Sequence, residues 1–327
     1  MRKNAIGAFV LGGWLLALCA SALGAEGLDD YPSRALRLLC PWPAGGVADL
    51  RSRQIAERLA RSLGQPVVVE NRPGASGTVG ITSAIQAKPD GYTFTMGSVN
   101  DLGIAPALDP KAHGKLVTGL QPITLAARGP MVLVASPALG VNTVAELIAL
   151  ARSKPGQLGY ATSGPNTTHH FAGEMLKRAA GVDLIHVPYK GAAAMMPDLI
   201  AGNVAIGFDF AATSEALIKA GKLRALAVLG PRRVSLLPDV PTSREAGIPG
   251  VEVMSWSAFL VPVGTPASIV SRLNAELVKI LRGREMTDAY TSAGYEVIAS
   301  SPEDFSSFLR DEQARWVRLA KELGMVP

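Results

Sequence analysis

Short apolar runs alternate along this chain with longer amphipathic ones, and that order constrains the fold more than any other feature. Residues 36–40 read as a buried strand and 41–46 as a loop. A helix is predicted over 47–63, because Ile55, Leu59 and Leu63 recur every four residues and Gly64 stands where a helix ends. Residues 67–70 form a β-branched strand, 71–74 a turn and 78–87 a second helix. Pro89-Asp90-Gly91 breaks that helix before a strand at 92–96. This βαβαβ order indicates an α/β domain with a largely parallel sheet.

The alternation resumes after a loop-rich stretch at 109–119. Strands are predicted at 123–127, 131–135, 158–161, 184–187, 204–208 and 223–228. Between them lie helices at 144–153, with Thr143 placed to cap it, and at 169–180, 192–201 and 211–220. The tail carries a strand-like run at 252–261, a helix at 266–281, a short helix near Glu285, a strand at 296–298 and a last helix. In that helix Phe305, Leu309, Trp316 and Leu319 share one face. The first unit has only three strands, so a tail that packs back on it would complete its sheet. The chain of 327 residues then forms two lobes, 26–122 with 231–327 and 123–230, joined by two crossings near 122–130 and 229–232. Such lobes enclose a cleft that opens and shuts about a hinge. Two lobes in simple succession are the alternative.

The first 25 residues have the form of a cleaved export signal: Arg2 and Lys3, an apolar run from Ala5 to Leu18, then small residues through Ala25. The run is about 14 residues, short of the ~20 that span a bilayer. Leu18 before Cys19 argues against a lipobox. The mature chain is expected in the periplasm, beginning between Leu23 and Gly27. Only Cys19 and Cys40 occur, so a disulfide scaffold is excluded and Cys40 reads as a buried apolar residue. A composition of 48% hydrophobic and 18% charged residues excludes a disordered or fibrous protein. Without Arg2 and Lys3, 30 basic residues face 27 acidic ones, and no basic run appears, which disfavours a nucleic-acid partner.

Several loops share one design: a strand ends, small residues follow, a helix begins. They are 41–46, Gly97-Ser98, 162–168, 189–191 and the turn at Asp209. In α/β folds ligands bind at the carboxyl ends of strands. Helix N-termini there offer unpaired N–H groups and a partial positive charge, which suits an anion. Each loop also has a plainer reading. Gly45-Gly46 also fits a tight turn; Ser163, Thr167 and Thr168 fit helix caps, and so does Asp209; Asp49 fits the favourable acid of a first helical turn. Trp42, between two prolines, fits a cleft wall better than a core. Residues 71–77 lack the Lys-Ser/Thr ending of a phosphate loop and read as a structural turn.

Catalytic signals are thin. Of the four histidines, His169 and His170 are adjacent and diverge by about 100° on a helix, a poor chelating pair. No H-E-x-x-H, G-x-S-x-G or S-x-x-K motif occurs. No metal, no cofactor and no enzymatic activity are expected.

Taken together, CPWPAGGVADLRSRQIAERLARSLGQPVVVENRPGASGTVGI (40–81), KPDGYTF (88–94), GEMLKRAAGVDLIHVPYKG (173–191), AGKLRALAV (220–228), LPDVPTSREAG (237–247) and GTPASIVSRLNAELVK (264–279) resemble the Bug-type solute-binding proteins of tripartite tricarboxylate transporters. The resemblance covers nearly the whole mature chain. It implies a two-lobed Venus-flytrap fold, α/β and type II-like, with two interdomain crossings. It also implies capture of a small carboxylate by backbone amides and bridging waters. Carried onto this chain, the ligand-binding positions are Trp42, Ala44, Gly45 and Gly46, then Asp49 and Ser98. In the second lobe they are Ser163, Gly164, Asn166, Thr167 and His170, then Tyr189, Gly191 and Asp209. The sequence departs from the family at 101–119 and at Asn166, where the family pattern Ser-Gly-x-Gly-Thr has glycine. Ala194, Met195 and Met196 make the next helix start more apolar.

The leading expectation is a monomeric periplasmic binding protein that hands a small carboxylate to membrane transporter subunits. A ligand sensor with the same cleft and a signalling partner is the alternative, and a hydrolase using Ser163 and His170 is the third.

Overall fold

The computed structural model describes residues 31–326. The proposed export signal lies outside the described residues. Strands β1 (Leu36–Cys40), β2 (Val67–Asn71) and β3 (Thr93–Ser98) alternate with helices α1 (Val47–Leu63) and α2 (Thr78–Ile85). β1 pairs in parallel with both β2 and β3. Helix α1 ends where the sequence places its glycine: Gly64 adopts φ 69° and its N–H bonds Ala60 O. After β3 comes a π-helical turn, Val99–Ile104. Three one-turn helices follow, α3 (Ala105–Leu108), α4 (Pro110–His113) and α5 (Lys115–Thr118), the last two within the stretch 109–119 that reads as loop-rich.

The two strands expected at 123–127 and 131–135 are one, β4 (Leu120–Ala135). Pro122, Gly129 and Pro130 looked like breaks. Register shifts against its neighbour at 122–124 and 125–127 carry the strand past Pro122, and Gly129 and Pro130 pair in regular register with Ser255 and Met254. Beyond β4 lie α6 (Val144–Ser153), β5 (Gly159–Thr162), α7 (Thr168–Ala180), β6 (Ile185–Pro188), α8 (Ala192–Ala201), β7 (Ile206–Phe210), α9 (Ala211–Lys219) and β8 (Arg224–Val228). Thr143 caps α6 as its sequence suggests, accepting from Glu146 N at 3.1 Å.

The tail returns to the first unit. β9 (Met254–Pro262) inserts antiparallel between β3 and β4, followed by α10 (Ala267–Arg282), α11 (Arg284–Thr291), β10 (Glu296–Val297) and α12 (Pro302–Glu322). The strand order is β2-β1-β3-β9-β4-β7-β5-β6, with β8 and β10 also paired to β4. β4 therefore belongs to both lobes. Its residues 120–130 pair with β9, while 131–135 pair with β7 and β8. The returning chain is bonded beside it: Leu229 N–H donates to Met131 O at 2.7 Å, Val253 N–H to Leu229 O at 2.8 Å, and Met131 N–H to Val253 O at 3.0 Å. The result is the two-lobed α/β architecture, a mixed sheet whose parallel strands carry the helices.

Three apolar clusters hold it. One face of the first lobe packs Leu38, Ile55, Phe94 and Phe259 against α10 residues Leu273 and Leu277. One face of the second packs Val132, Ala161, Met195 and Leu199. The third cluster runs through both lobes, joining Leu102, Trp256, Phe305 and Trp316 to Phe171, Met175 and Phe208. Helix α12 makes that continuity possible, because its buried Phe305, Leu309, Trp316 and Ala320 lie along one face.

Candidate functional site

Two groups of loops occupy the carboxyl ends of the parallel strands, one group in each lobe. In the first lobe, residues 41–46 follow β1 and residues 98–101 follow the adjacent β3. Asp49 stitches the first loop: its carboxylate accepts from Gly45 N at 2.9 Å, from Arg53 at 3.0 Å and from Asn71 Nδ2 at 3.0 Å. Arg53, then Gly45 and Asn71, hold its pKa down at about 2. The Trp42 carbonyl accepts from the same Asn71 amide at 3.0 Å. Trp42 itself is half-buried, and Ala44, Gly45 and Gly46 are exposed. Its ring lies against Gly77, where an added Cβ would stand 3.3 Å from Trp42 and 2.9 Å from an Asp101 oxygen.

Ser98 and Asp101 lock the second loop. Asp101 Oδ1 accepts from Ser98 N at 2.8 Å, and Ser98 Oγ donates to Asp101 Oδ2 at 2.8 Å. Asp101 is fully buried with no cation beside it among the described residues, and burial pushes its pKa up to about 7 despite those bonds.

In the second lobe β5 lies between β7 and β6, so residues 163–167, 189–191 and 209–210 are neighbours. Thr167 caps α7: its Oγ1 accepts from His170 N at 3.4 Å and donates to Gly164 O at 2.8 Å. Asn166 adopts φ 61°, the left-handed region in which asparagine is tolerated better than other non-glycine residues. That is why this loop dispenses with the glycine that the family resemblance puts there. Gly191 N donates to Ser163 O at 3.2 Å and Tyr189 N to Thr162 O at 3.0 Å. The Tyr189 hydroxyl points along α8 and donates to Asp198 Oδ2 at 2.6 Å. Asp209, expected in a turn, is the penultimate residue of β7. Its Oδ2 accepts from Thr213 and Ser214, each at 2.6 Å, while its buried Oδ1 has no partner among the described residues. Burial raises its pKa.

The hydroxyl–imidazole pair differs from the expected one. Ser163 Oγ lies 2.9 Å from His169 Nδ1, whereas His170 Nδ1 accepts from Asn166 N at 3.2 Å. His169 Nε2 is buried without a partner among the described residues, so no carboxylate orients this imidazole as a Ser-His-acid triad requires. Burial holds His169 at about 4 and it is neutral at pH 7. Helical spacing offered the distinction: His169 shares the buried face with Ala172 and Leu176, and His170 shares the more open one with Lys177. His170 stacks on His186 at 4.1 Å.

Sequence reasoning missed Asn100. Its Oδ1 accepts the N–H of Thr168, the first residue of α7, at 3.2 Å, which joins the two groups of loops directly. Nothing but its position two residues beyond Ser98 hinted at this. Phe210, at the end of β7, and Tyr295, in the tail, make a second contact, with ring centroids 6.2 Å apart.

Residues 51–325 match the family described as the tripartite tricarboxylate transporter family receptor. BugT of Bordetella pertussis is 32% identical over 297 residues, covering 90% of this chain and 91% of its own. Among solved structures, Rhodopseudomonas palustris Rpa4515 with adipate is 36% identical, with a TM-score of 0.83 over 90% of this chain and 99% of that one. MatC of the same organism, with bound malate, is 30% identical, with a TM-score of 0.78 over 88% and 99%. The periplasmic binding protein BugD is 33% identical, with a TM-score of 0.80 over 90% and 99%. The matched family is one of receptors rather than enzymes. Sharing its sequence over this span and its two-lobed fold, the chain belongs to the tripartite tricarboxylate transporter receptor family, with the Bug-type periplasmic binding proteins.

Proposed function

We propose that this chain captures a small dicarboxylate between its lobes in the periplasm, after loss of residues 1–25, and delivers it as a monomer to membrane transport subunits without chemical change. One observation carries the reading. Two sets of strand-end loops rich in small residues meet across a single cleft, and neither 41–46 nor 162–168 contains Lys or Arg. A carboxylate there takes its hydrogen bonds from helix-terminal amides and from hydroxyls such as that of Ser163. The adipate and malate bound by Rpa4515 and MatC support this ligand class. We place the lobe boundaries at Gly129–Pro130 on the way out and near Gly230 on return, where β4 changes partners and Leu229 pairs with Met131. Unlike a hydrolase, this chain leaves His169 without an orienting acid among the described residues.

A thermal-shift screen of mono-, di- and tricarboxylates and aromatic acids tests the reading. A ligand at a hundred times its Kd stabilises the native state by about 2.7 kcal/mol. Adipate or malate should raise the unfolding midpoint. A screen in which no carboxylate does so would overturn the proposal.

A further inference from the structure

Asn100 is held by one lobe and bonded to the other. On its own side, Ser98 Oγ accepts its backbone N–H at 3.3 Å, Val99 and Asp101 on either side are buried, and Gln313 Nε2 of α12 donates to Leu102 O at 3.3 Å. The turn that carries it is thus fixed to β3 and to α12. On the far side the bonded group is the first amide of α7, which has no acceptor within its own helix. Thr167 serves only the third amide, that of His170. The second lobe therefore supplies one cap to α7 and the first lobe supplies another.

We propose that Asn100 is an interlobe latch that sets the affinity of the cleft for every ligand by stabilising the closed form. This rests on the reading of the cleft as a carboxylate site. An opening that draws the start of α7 away from residues 98–101 breaks the bond. When they part, water takes both groups, and only the small net worth of one hydrogen bond is lost. A ligand that binds the closed form sees an affinity scaled by the closed fraction. Losing the latch therefore weakens all ligands by one common factor, roughly two- to tenfold, and leaves their rank order unchanged. A residue that touched the ligand would change the order instead.

There is an opposite possibility on the same geometry. If a ligand carboxylate needs the Thr168 amide, Asn100 competes with it, and its removal tightens binding. The sign of the change separates the two.

The experiment pairs small-angle scattering of ligand-free protein with calorimetry of adipate and malate, on wild type, Asn100→Ala and Asn100→Asp. The alanine variant should have a larger ligand-free radius of gyration and should bind both acids more weakly by the same factor. The aspartate variant keeps an acceptor oxygen and adds a charge favourable at a helix N-terminus, so its ligand-free radius should return to the wild-type value. An unchanged radius in Asn100→Ala, or tighter binding by it, would overturn the latch. If wild type binds no carboxylate, the functional reading fails, and scattering alone still decides whether Asn100 holds the lobes together.

Discussion

Trp316 of α12 meets Phe171 of α7 edge to face, with centroids 5.0 Å apart and planes at 85°. The two rings come from opposite lobes, and both are fully buried. Trp316 is oriented from below by Glu312, whose Oε2 accepts its indole N–H at 3.0 Å and that of Trp256 at the same distance. Helix α12 thus straps the two lobes together through a buried aromatic contact.

A double-mutant cycle tests that coupling. Trp316→Ala should cost ~3–5 kcal/mol in urea unfolding, as truncation of a buried aromatic does. Phe171→Leu should cost less, because it keeps most of the volume. The interaction energy should be ~0.5–1.5 kcal/mol, the worth of an edge-to-face pair beyond its area. A cycle that closes at zero would mean that the strap does not couple the lobes.

Acid should weaken the protein through α7. Burial holds His169 and His170 at about 4, against 6.5 for a free imidazole. Between those values the unfolded chain binds protons that the folded chain refuses. The stability is complete above pH 6.5 and is lost as pH falls toward 4. Asp49, held near 2, loses its contribution only below about 4, so the windows separate. His186, Glu174 and Lys177 face His170, which makes His169 the cleaner test. His169→Gln should flatten the fall of the unfolding midpoint between pH 6.5 and 5. A variant with the same slope as wild type would refute the assignment.

Much of this architecture was legible because it rests on periodicity. Helices 47–63, 144–153 and 192–201 follow from the spacing of their apolar residues. β4 was not legible as one strand, because Pro122 and Pro130 imitate breaks and only the pairing with β9 overrides them. The site divides the same way. Strand-end loops are visible as runs of small residues, whereas the partner of a side chain depends on tertiary neighbours. Asp49 is bound up within its own loop, Ser163 selects His169 rather than His170, and Asn100 reaches a helix 68 residues away.

Asp101 should show the reverse dependence on pH. Its pKa is about 7 in the folded state against 3.8 for a free side chain, so the folded chain binds the extra proton between those values. Its contribution is fully present below about 4 and is lost as pH rises through 7. Asn reproduces the protonated acid: its oxygen accepts from Ser98 N and its amide donates to Ser98 Oγ. Asp101→Asn should therefore raise the unfolding midpoint strongly at pH 8 and by much less at pH 5, where only the first part of the penalty has been incurred. Equal shifts at both pH values would show that burial of the charge is not the cause.

Ligand affinity should depend on loop backbone more than on any cation. Ser163→Ala removes one hydroxyl donor among several and should cost about 1–2 kcal/mol of binding energy by calorimetry. The Thr167 hydroxyl is already engaged by Gly164 O and His170 N, so Thr167→Ala should cost less affinity than Ser163→Ala and, because Thr167 caps α7, about 1 kcal/mol of stability, which unfolding measures separately. Gly46 is exposed at the mouth of the first loop, and Gly46→Val should cost more affinity than either, since a branched side chain keeps the ligand from the first amides of α1. Lys190 is exposed, and Lys190→Ala should be mild. If Lys190→Ala abolished binding while Gly46→Val bound normally, a direct ion pair would replace the backbone cradle as the source of affinity.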